Sequence, residues 1–193
     1  MINIGSDSYS REKSIIGRTA AGMIEDGEAI FIGSGETCTC LAQHLQSMKN
    51  LILVTNNINV VLEAVKKPGI SIVLLGGDIE ILDNQLATYG MYAHTNIENM
   101  YIDKAFISAQ GAAIHAGYTV SSREQAMLNK MVMEHARETI MLADFTKFGK
   151  RAFVPLAPLD YFKRVVSNIQ IDSKYKEYFY DHGVKVFTAF EDE

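Results

Sequence analysis

Several short polar segments in this chain carry groups that could hold a small anionic or hydroxylated molecule. Gly33-Ser34-Gly35-Glu36-Thr37 follows an apolar run and opens a helical pattern. Backbone N–H groups at such a turn face outward and favour an anion such as phosphate, although an ordinary strand-to-helix turn reads the same way. Glu36 works against an anion there, because a carboxylate in the cradle repels it. Thr55-Asn56-Asn57 suits a helix cap, and its amides equally suit sugar hydroxyls, since each offers donors and an acceptor. Gly76-Gly77 forms a turn or lets a ligand approach the backbone closely. Gln110-Gly111 ends a further apolar run. Glu124, at the start of a helical stretch, complements the helix dipole and could also accept a hydroxyl or act as a base. Lys147, within Ala143-Asp144-Phe145-Thr146-Lys147-Phe148-Gly149, is either solvated or faces a phosphate. These residues form the expected ligand-binding set, with no catalytic or metal-binding member.

Other chemistries fit poorly. In a dinucleotide fingerprint Cys38 would stand at the third glycine, and the second apolar run ends without a ribose-binding acid. The lysine of a P-loop is missing. Cys38 and Cys40 have no second cysteine pair, and His44, His94, His115, His135 and His182 show no ligand spacing. No cofactor and no metal are expected. Met127, Met131 and Met133, and the aromatic face Tyr175, Tyr178, Phe179 and Tyr180, read as core or subunit packing.

The elements that must position these residues follow from the apolar pattern. Helical spacing runs from Ser10 through Ile15, Ile16, Ala20, Met23 and Ile24 to Gly27. Short continuous apolar runs then recur at 29–32, 51–54, 70–75, 104–107, 139–142, 164–166 and 184–187. Helical stretches lie around Leu41 and Leu45, around Val60 to Leu62, and over 122–136 and 172–181. Buried strands separated by helices predict an α/β fold: a mostly parallel sheet with helices on both faces. Ligands in such sheets bind beyond the carboxyl ends of the strands. The polar segments above fall at those ends, so that rim is the expected site.

The chain has 193 residues, enough for a substantial core. Its formal charge is −5, from 18 basic and 23 acidic residues, which is the wrong sign for a nucleic-acid surface. No apolar run approaches the roughly 20 residues that span a bilayer. The N-terminus lacks the basic and apolar parts of a secretory signal. A cytoplasmic protein without membrane contact is expected.

Taken in order, the segments resemble the effector-binding domain of the DeoR family of bacterial transcriptional regulators. Asp103-Lys104-Ala105-Phe106-Ile107-Ser108-Ala109-Gln110-Gly111 and the 143–149 segment carry the most specific part of the resemblance. Residues 30–37, 54–57 and 74–77 match in the expected order. The resemblance implies a fold similar to ribose-5-phosphate isomerase and the CoA transferases, with a phosphorylated sugar or related metabolite as effector. It implies a linker remnant over 1–10 and a sensor domain over 11–193. DNA would be contacted only through a winged helix-turn-helix domain absent from this chain, and the protein would be a homo-oligomer. Glu36 stands where the family usually has threonine, Gly33 where it often has aspartate, and Gln110 where an aspartate usually precedes Gly111. The alternative is a sugar-phosphate isomerase on the same fold, in which Glu124 resembles the base and Lys147 a substrate-binding lysine. Ala109-Gln110-Gly111-Ala112-Ala113 lacks the carboxylates such an enzyme would need. A pure oligomerisation module is the third reading.

Overall fold

The computed structural model describes residues 10–82 and 85–188. Most of the expected linker, residues 1–9, lies outside the described residues, and Ser10 is already the first residue of a helix. Seven strands form the central sheet: β1 (Ala29–Ile32), β2 (Leu51–Thr55), β3 (Ile70–Leu74), β6 (Ile102–Ser108), β9 (Ala136–Leu142), β11 (Arg164–Ser167) and β12 (Lys185–Thr188). Their order is β12-β11-β9-β6-β1-β2-β3, and every pairing is parallel. All their carboxyl ends therefore meet on one edge.

Successive side chains of a strand point to opposite faces, and both faces here are apolar. Ile30, Ile32, Leu53, Phe106 and Ile140 pack with α1 (Ser10–Ala21), α2 (Glu36–His44) and α3 (Ile58–Ala64). Phe31, Val54, Ile107, Met141 and Val165 face the other way, against α4 (Met91–Ile97), α5 (Arg123–His135) and α6 (Ser173–Asp181). Each fully buried Ile or Phe contributes about 1.5–3 kcal/mol relative to an exposed one, so both layers are held firmly.

Two antiparallel pieces complete the second layer. The hairpin β4 (Asp78–Leu82) and β5 (Gln85–Tyr89) follows Gly76-Gly77, and Gly77 needs its glycine because a Cβ would lie 2.0 Å from the Tyr89 carbonyl oxygen. Strands β7 (Gly111–Ala113), β8 (Gly117–Val120) and β10 (Val154–Ala157) form a three-stranded sheet in the order β10-β8-β7. Among the described residues no helix is long and apolar enough to cross a membrane.

Candidate functional site

The turn after β1 is shaped by one glycine. Gly35 has φ +111°, and an added Cβ would meet Ser108 Oγ at 2.6 Å. Ser108, the last residue of β6, donates its hydroxyl to the Ser34 carbonyl oxygen at 2.8 Å. That contact ties two central strand ends together and directs the Ser34 side chain inward. The Tyr89 hydroxyl donates to Ser34 Oγ at 2.8 Å, and Gln125 Nε2 donates to the same oxygen at 3.3 Å. Burial raises the Tyr89 pKa against the opposing effect of the Ser34 bond, so its phenol keeps its proton as a donor.

Asn56 closes this corner from β2. Its Nδ2 donates to the Thr88 carbonyl oxygen at 3.1 Å, which leaves Oδ1 buried with no hydrogen-bond partner. Gln125 spends its amide nitrogen on Ser34 and likewise leaves Oε1 buried and unpartnered. Gln110 Oε1 and Asp144 Oδ2 share that condition on neighbouring strand ends. All four are oxygen atoms that accept hydrogen bonds, and each follows a parallel strand or, for Gln125, lies in the first turn of α5.

Thr55 and Asn57 are occupied in shaping the rim. Thr55 Oγ1 donates to the Ile32 carbonyl oxygen at 2.6 Å and accepts from Asn57 N at 3.0 Å. Asn57 Oδ1 caps α3 by accepting from Asn59 N and Val60 N at 2.9 and 3.3 Å, while its Nδ2 reaches the Gly33 and Gly35 carbonyls. Thr37 is buried in the first turn of α2. Gly76 has open space around its Cβ position and leads to the tight Gly77 turn. Glu36 points out of the cradle: Lys13 Nζ of α1 lies 2.5 Å from its Oε2.

The Lys147 loop is drawn beside Gln110-Gly111. Gly149 N donates to the Ala112 carbonyl at 2.8 Å, and Gly111 has no room for a Cβ, with Lys150 O and Thr119 Oγ1 both 2.6 Å from that position. Lys147 closes a short 3₁₀ turn, Phe145–Lys147, capped by Asp144, whose Oδ1 accepts from Thr146 N at 2.9 Å and from the Thr146 hydroxyl. Phe145 N in turn donates to Asn168 Oδ1 at 3.2 Å, and Asn168 Nδ2 donates to the Glu12 carbonyl of α1 at 3.0 Å. Glu124 is half-buried, and its neighbour Gln125, not Glu124, enters the Ser34 cluster. Tyr89, Ser108 and Gln125 are the members that sequence reasoning missed. For Gln125 a signal existed: it shares the buried helical phase of Leu128, Asn129 and Val132.

A separate cleft of about 400 Å³ lies away from this rim, at the β7–β8 turn, lined by Ile114, His115, Pro155, Pro158 and Tyr178 among others. Its side-chain walls are mostly apolar, with the His115 imidazole and the Tyr178 phenol as the polar side chains. No group of three or more potential metal ligands occurs among the described residues.

The family model described as the DeoR C terminal sensor domain matches residues 8–168 of this chain. The chain belongs to the DeoR family of transcriptional regulators. Among curated relatives of this sensor domain, the HTH-type transcriptional repressor GlcR of Bacillus subtilis is 30% identical over 186 residues, covering 96% of this chain and 70% of GlcR. Among solved structures, the probable sor operon regulator from Shigella flexneri aligns with a TM-score of 0.55 at 13% identity, covering 89% of this chain and 90% of that one. Ribose 5-phosphate isomerase A from Neisseria gonorrhoeae aligns with a TM-score of 0.52 at 15% identity, covering 75% of this chain and 56% of the isomerase. At these identities the two structures share the fold of the DeoR sensor domain, which is the mostly parallel α/β sheet expected from the sequence.

Proposed function

We propose that this DeoR sensor domain binds a phosphorylated sugar or related polyhydroxy metabolite on the carboxyl rim of its sheet, and so controls a helix-turn-helix domain in a cytoplasmic repressor. One observation carries the reading: buried acceptor oxygens without partners, Asn56 Oδ1 and Gln125 Oε1, sit around Ser34 and Tyr89. An unsatisfied buried acceptor is unfavourable by about 1–3 kcal/mol, and a ligand hydroxyl is the group that relieves it. The Lys147 loop on the same edge supplies a cation for a phosphate. The acceptors are closed to solvent, so entry requires the rim to part.

Occupancy can reach the first helix by two routes. Glu36, next to the Gly35 turn, holds Lys13, and Asn168 joins the Lys147 loop to the Glu12 carbonyl. Catalysis fits less well than binding. Aldose–ketose isomerisation needs a base for carbon and acid help at oxygen. Beside the carboxylates of Glu124 and Asp144, whose Oδ1 is held by Thr146, the rim presents Gln110 and Gln125, whose amides do not act as acid or base near neutral pH. Solvent-deuterium exchange into ribose 5-phosphate, followed by NMR, is expected to show no protein-dependent exchange. Exchange that depends on the protein and vanishes in Glu124→Gln would establish an enzyme instead.

The binding test is a thermal-shift screen across sugar phosphates, polyol phosphates and free sugars. A ligand at a hundredfold excess over its Kd stabilises the fold by about 2.7 kcal/mol. Lys147→Met should weaken phosphorylated ligands selectively, whereas Gln125→Met should weaken phosphorylated and free sugars alike. Unchanged binding of every phosphorylated ligand by Lys147→Met would remove that lysine from the site.

A further inference from the structure

The cleft beside the β7–β8 turn is built from two stretches of chain, Ile114–Gly117 and Pro155–Leu159, joined by Tyr178 of α6. Gly117, at φ +66°, lets the two stretches meet, because a Cβ there would lie 2.2 Å from the Ala157 carbonyl oxygen. Leu156 and Leu159 are buried, whereas His115, Pro155 and Pro158 are exposed, so the cleft runs from an open mouth to an apolar floor. Its volume of about 400 Å³ suits a small molecule.

Tyr118 brings an unused polar group to this cleft. It follows Gly117 in the chain and pairs with Ala157 across the β8–β10 ladder. Directly paired residues point the same way, so Tyr118 shares a side with that lining residue. Its ring is buried, edge-on to Phe162 at 5.3 Å, and its hydroxyl has no hydrogen-bond partner. Burial and then the nearby Tyr178 phenol both push the Tyr118 phenol up, so it keeps its proton. It is a donor without an acceptor, an uncommon condition for a buried group in a native fold.

We propose that the cleft is a second small-molecule site, for a neutral single-ring compound that offers one acceptor oxygen, as an aryl amide does, to the Tyr118 hydroxyl. The aliphatic and proline walls take the ring. Two observations fix the polar end. An ammonium group has no acceptor and would leave the Tyr118 proton unpaired. An anion is opposed by the Asp160 carboxylate, whose charge bears on the Tyr178 phenol and, after burial, raises its pKa. A neutral oxygen meets both conditions. Tyr178 is half-buried and stacks on the exposed His182, with ring centroids 4.0 Å apart and planes at 15°. It is the surface side chain that turns to let the ligand reach the hydroxyl. The proposal does not rest on the sugar site at the rim.

The test is amide chemical-shift titration of the full chain with benzamide, benzoate and benzylamine, probes of one size that differ in charge. Benzamide should give saturable changes centred on residues 114–117, 155–159 and 178, with the other two at least about tenfold weaker. Tyr118→Phe keeps the ring and deletes only the unpartnered hydroxyl, so it should fold as the parent does, which circular dichroism checks. It should weaken benzamide about tenfold, the value of one hydrogen bond of about 1.4 kcal/mol. The three probes read the same acceptor requirement without any substitution, so the test survives a variant that misfolds. Three results would each overturn the proposal: no saturable change at these residues up to the solubility of benzamide, benzoate or benzylamine binding as tightly as benzamide, or undiminished benzamide binding by folded Tyr118→Phe. No sugar enters the experiment, so this site and the rim stand or fall separately.

Discussion

Gly35→Ala tests how the rim is built. At φ +111° and ψ 158°, Gly35 occupies a backbone region essentially restricted to glycine, and a side chain there is unfavourable by about 1–3 kcal/mol. The new Cβ would also lie 2.6 Å from Ser108 Oγ, so the hydroxyl must turn away and give up its 2.8 Å bond to the Ser34 carbonyl. Losing that buried bond adds about 1 kcal/mol. The total expected destabilisation is roughly 2–4 kcal/mol. Ser108→Ala alone should lose only the hydrogen bond, about 1 kcal/mol. Because the two changes remove the same bond, Gly35→Ala/Ser108→Ala should be no less stable than Gly35→Ala, falling about 1 kcal/mol short of additivity. Urea unfolding of the four proteins at constant m measures this directly. A Gly35→Ala variant within 0.5 kcal/mol of the parent, roughly the range of an ordinary surface change, would refute the reasoning.

Two further predictions follow from side chains around the first helix. Glu36→Gln should destabilise the fold by about 1–2 kcal/mol, because it removes the Glu36 carboxylate from the Lys13 ammonium, which is 8% exposed, while Glu36 itself is 31% exposed and screened by water. Ligand affinity should change little, since Glu36 points to α1; a large gain in phosphate affinity with unchanged stability would place the carboxylate in the cradle instead. His44, whose Nε2 lies 2.7 Å from Ser14 Oγ, has its pKa lowered by burial first and then by Arg18 and Lys67. The unfolded chain therefore binds the proton more readily, and stability should fall as pH drops through about 6.5, levelling off below the folded-state value. Tm measured against pH should decline more steeply in the parent than in His44→Gln, and parallel curves would contradict this.

The parallel sheet is legible because its strands are continuous apolar runs, such as Ala29-Ile30-Phe31-Ile32 and Leu51-Ile52-Leu53-Val54, with helices between them. The β4–β5 hairpin is harder to read. Its alternation, Asp78-Ile79-Glu80-Ile81, leaves the isoleucines exposed and sets the acids on the side of the buried Ala87 and Tyr89, the reverse of a hairpin folded on an ordinary core. Strands β7 and β8 are short and rich in glycine and alanine, so they carry little β signal. At the rim, the turns at Gly33–Gly35 and Thr55–Asn57 can be placed from local pattern, because their residues act on their own backbone. Tyr89 and Ser108 cannot, since their roles come from strands far apart in sequence that meet at Ser34. Glu124 draws attention by charge, but helical phase turns Gln125 toward the core. Cys38 follows its plain reading: buried and paired weakly with the Phe106 carbonyl at 3.8 Å, its thiol is pushed up to about 12.

The most direct test of the central claim is to locate a bound ligand by amide chemical-shift mapping during titration with a phosphorylated sugar selected by thermal shift. Binding at the rim predicts that the largest changes fall on residues 33–37, 56–57, 110–111, 124–125 and 145–149, with saturation at the concentration that stabilises the fold. Changes centred on Ile114–Gly117 and Pro155–Leu159, the lining of the separate cleft, with the rim unmoved, would contradict the assignment.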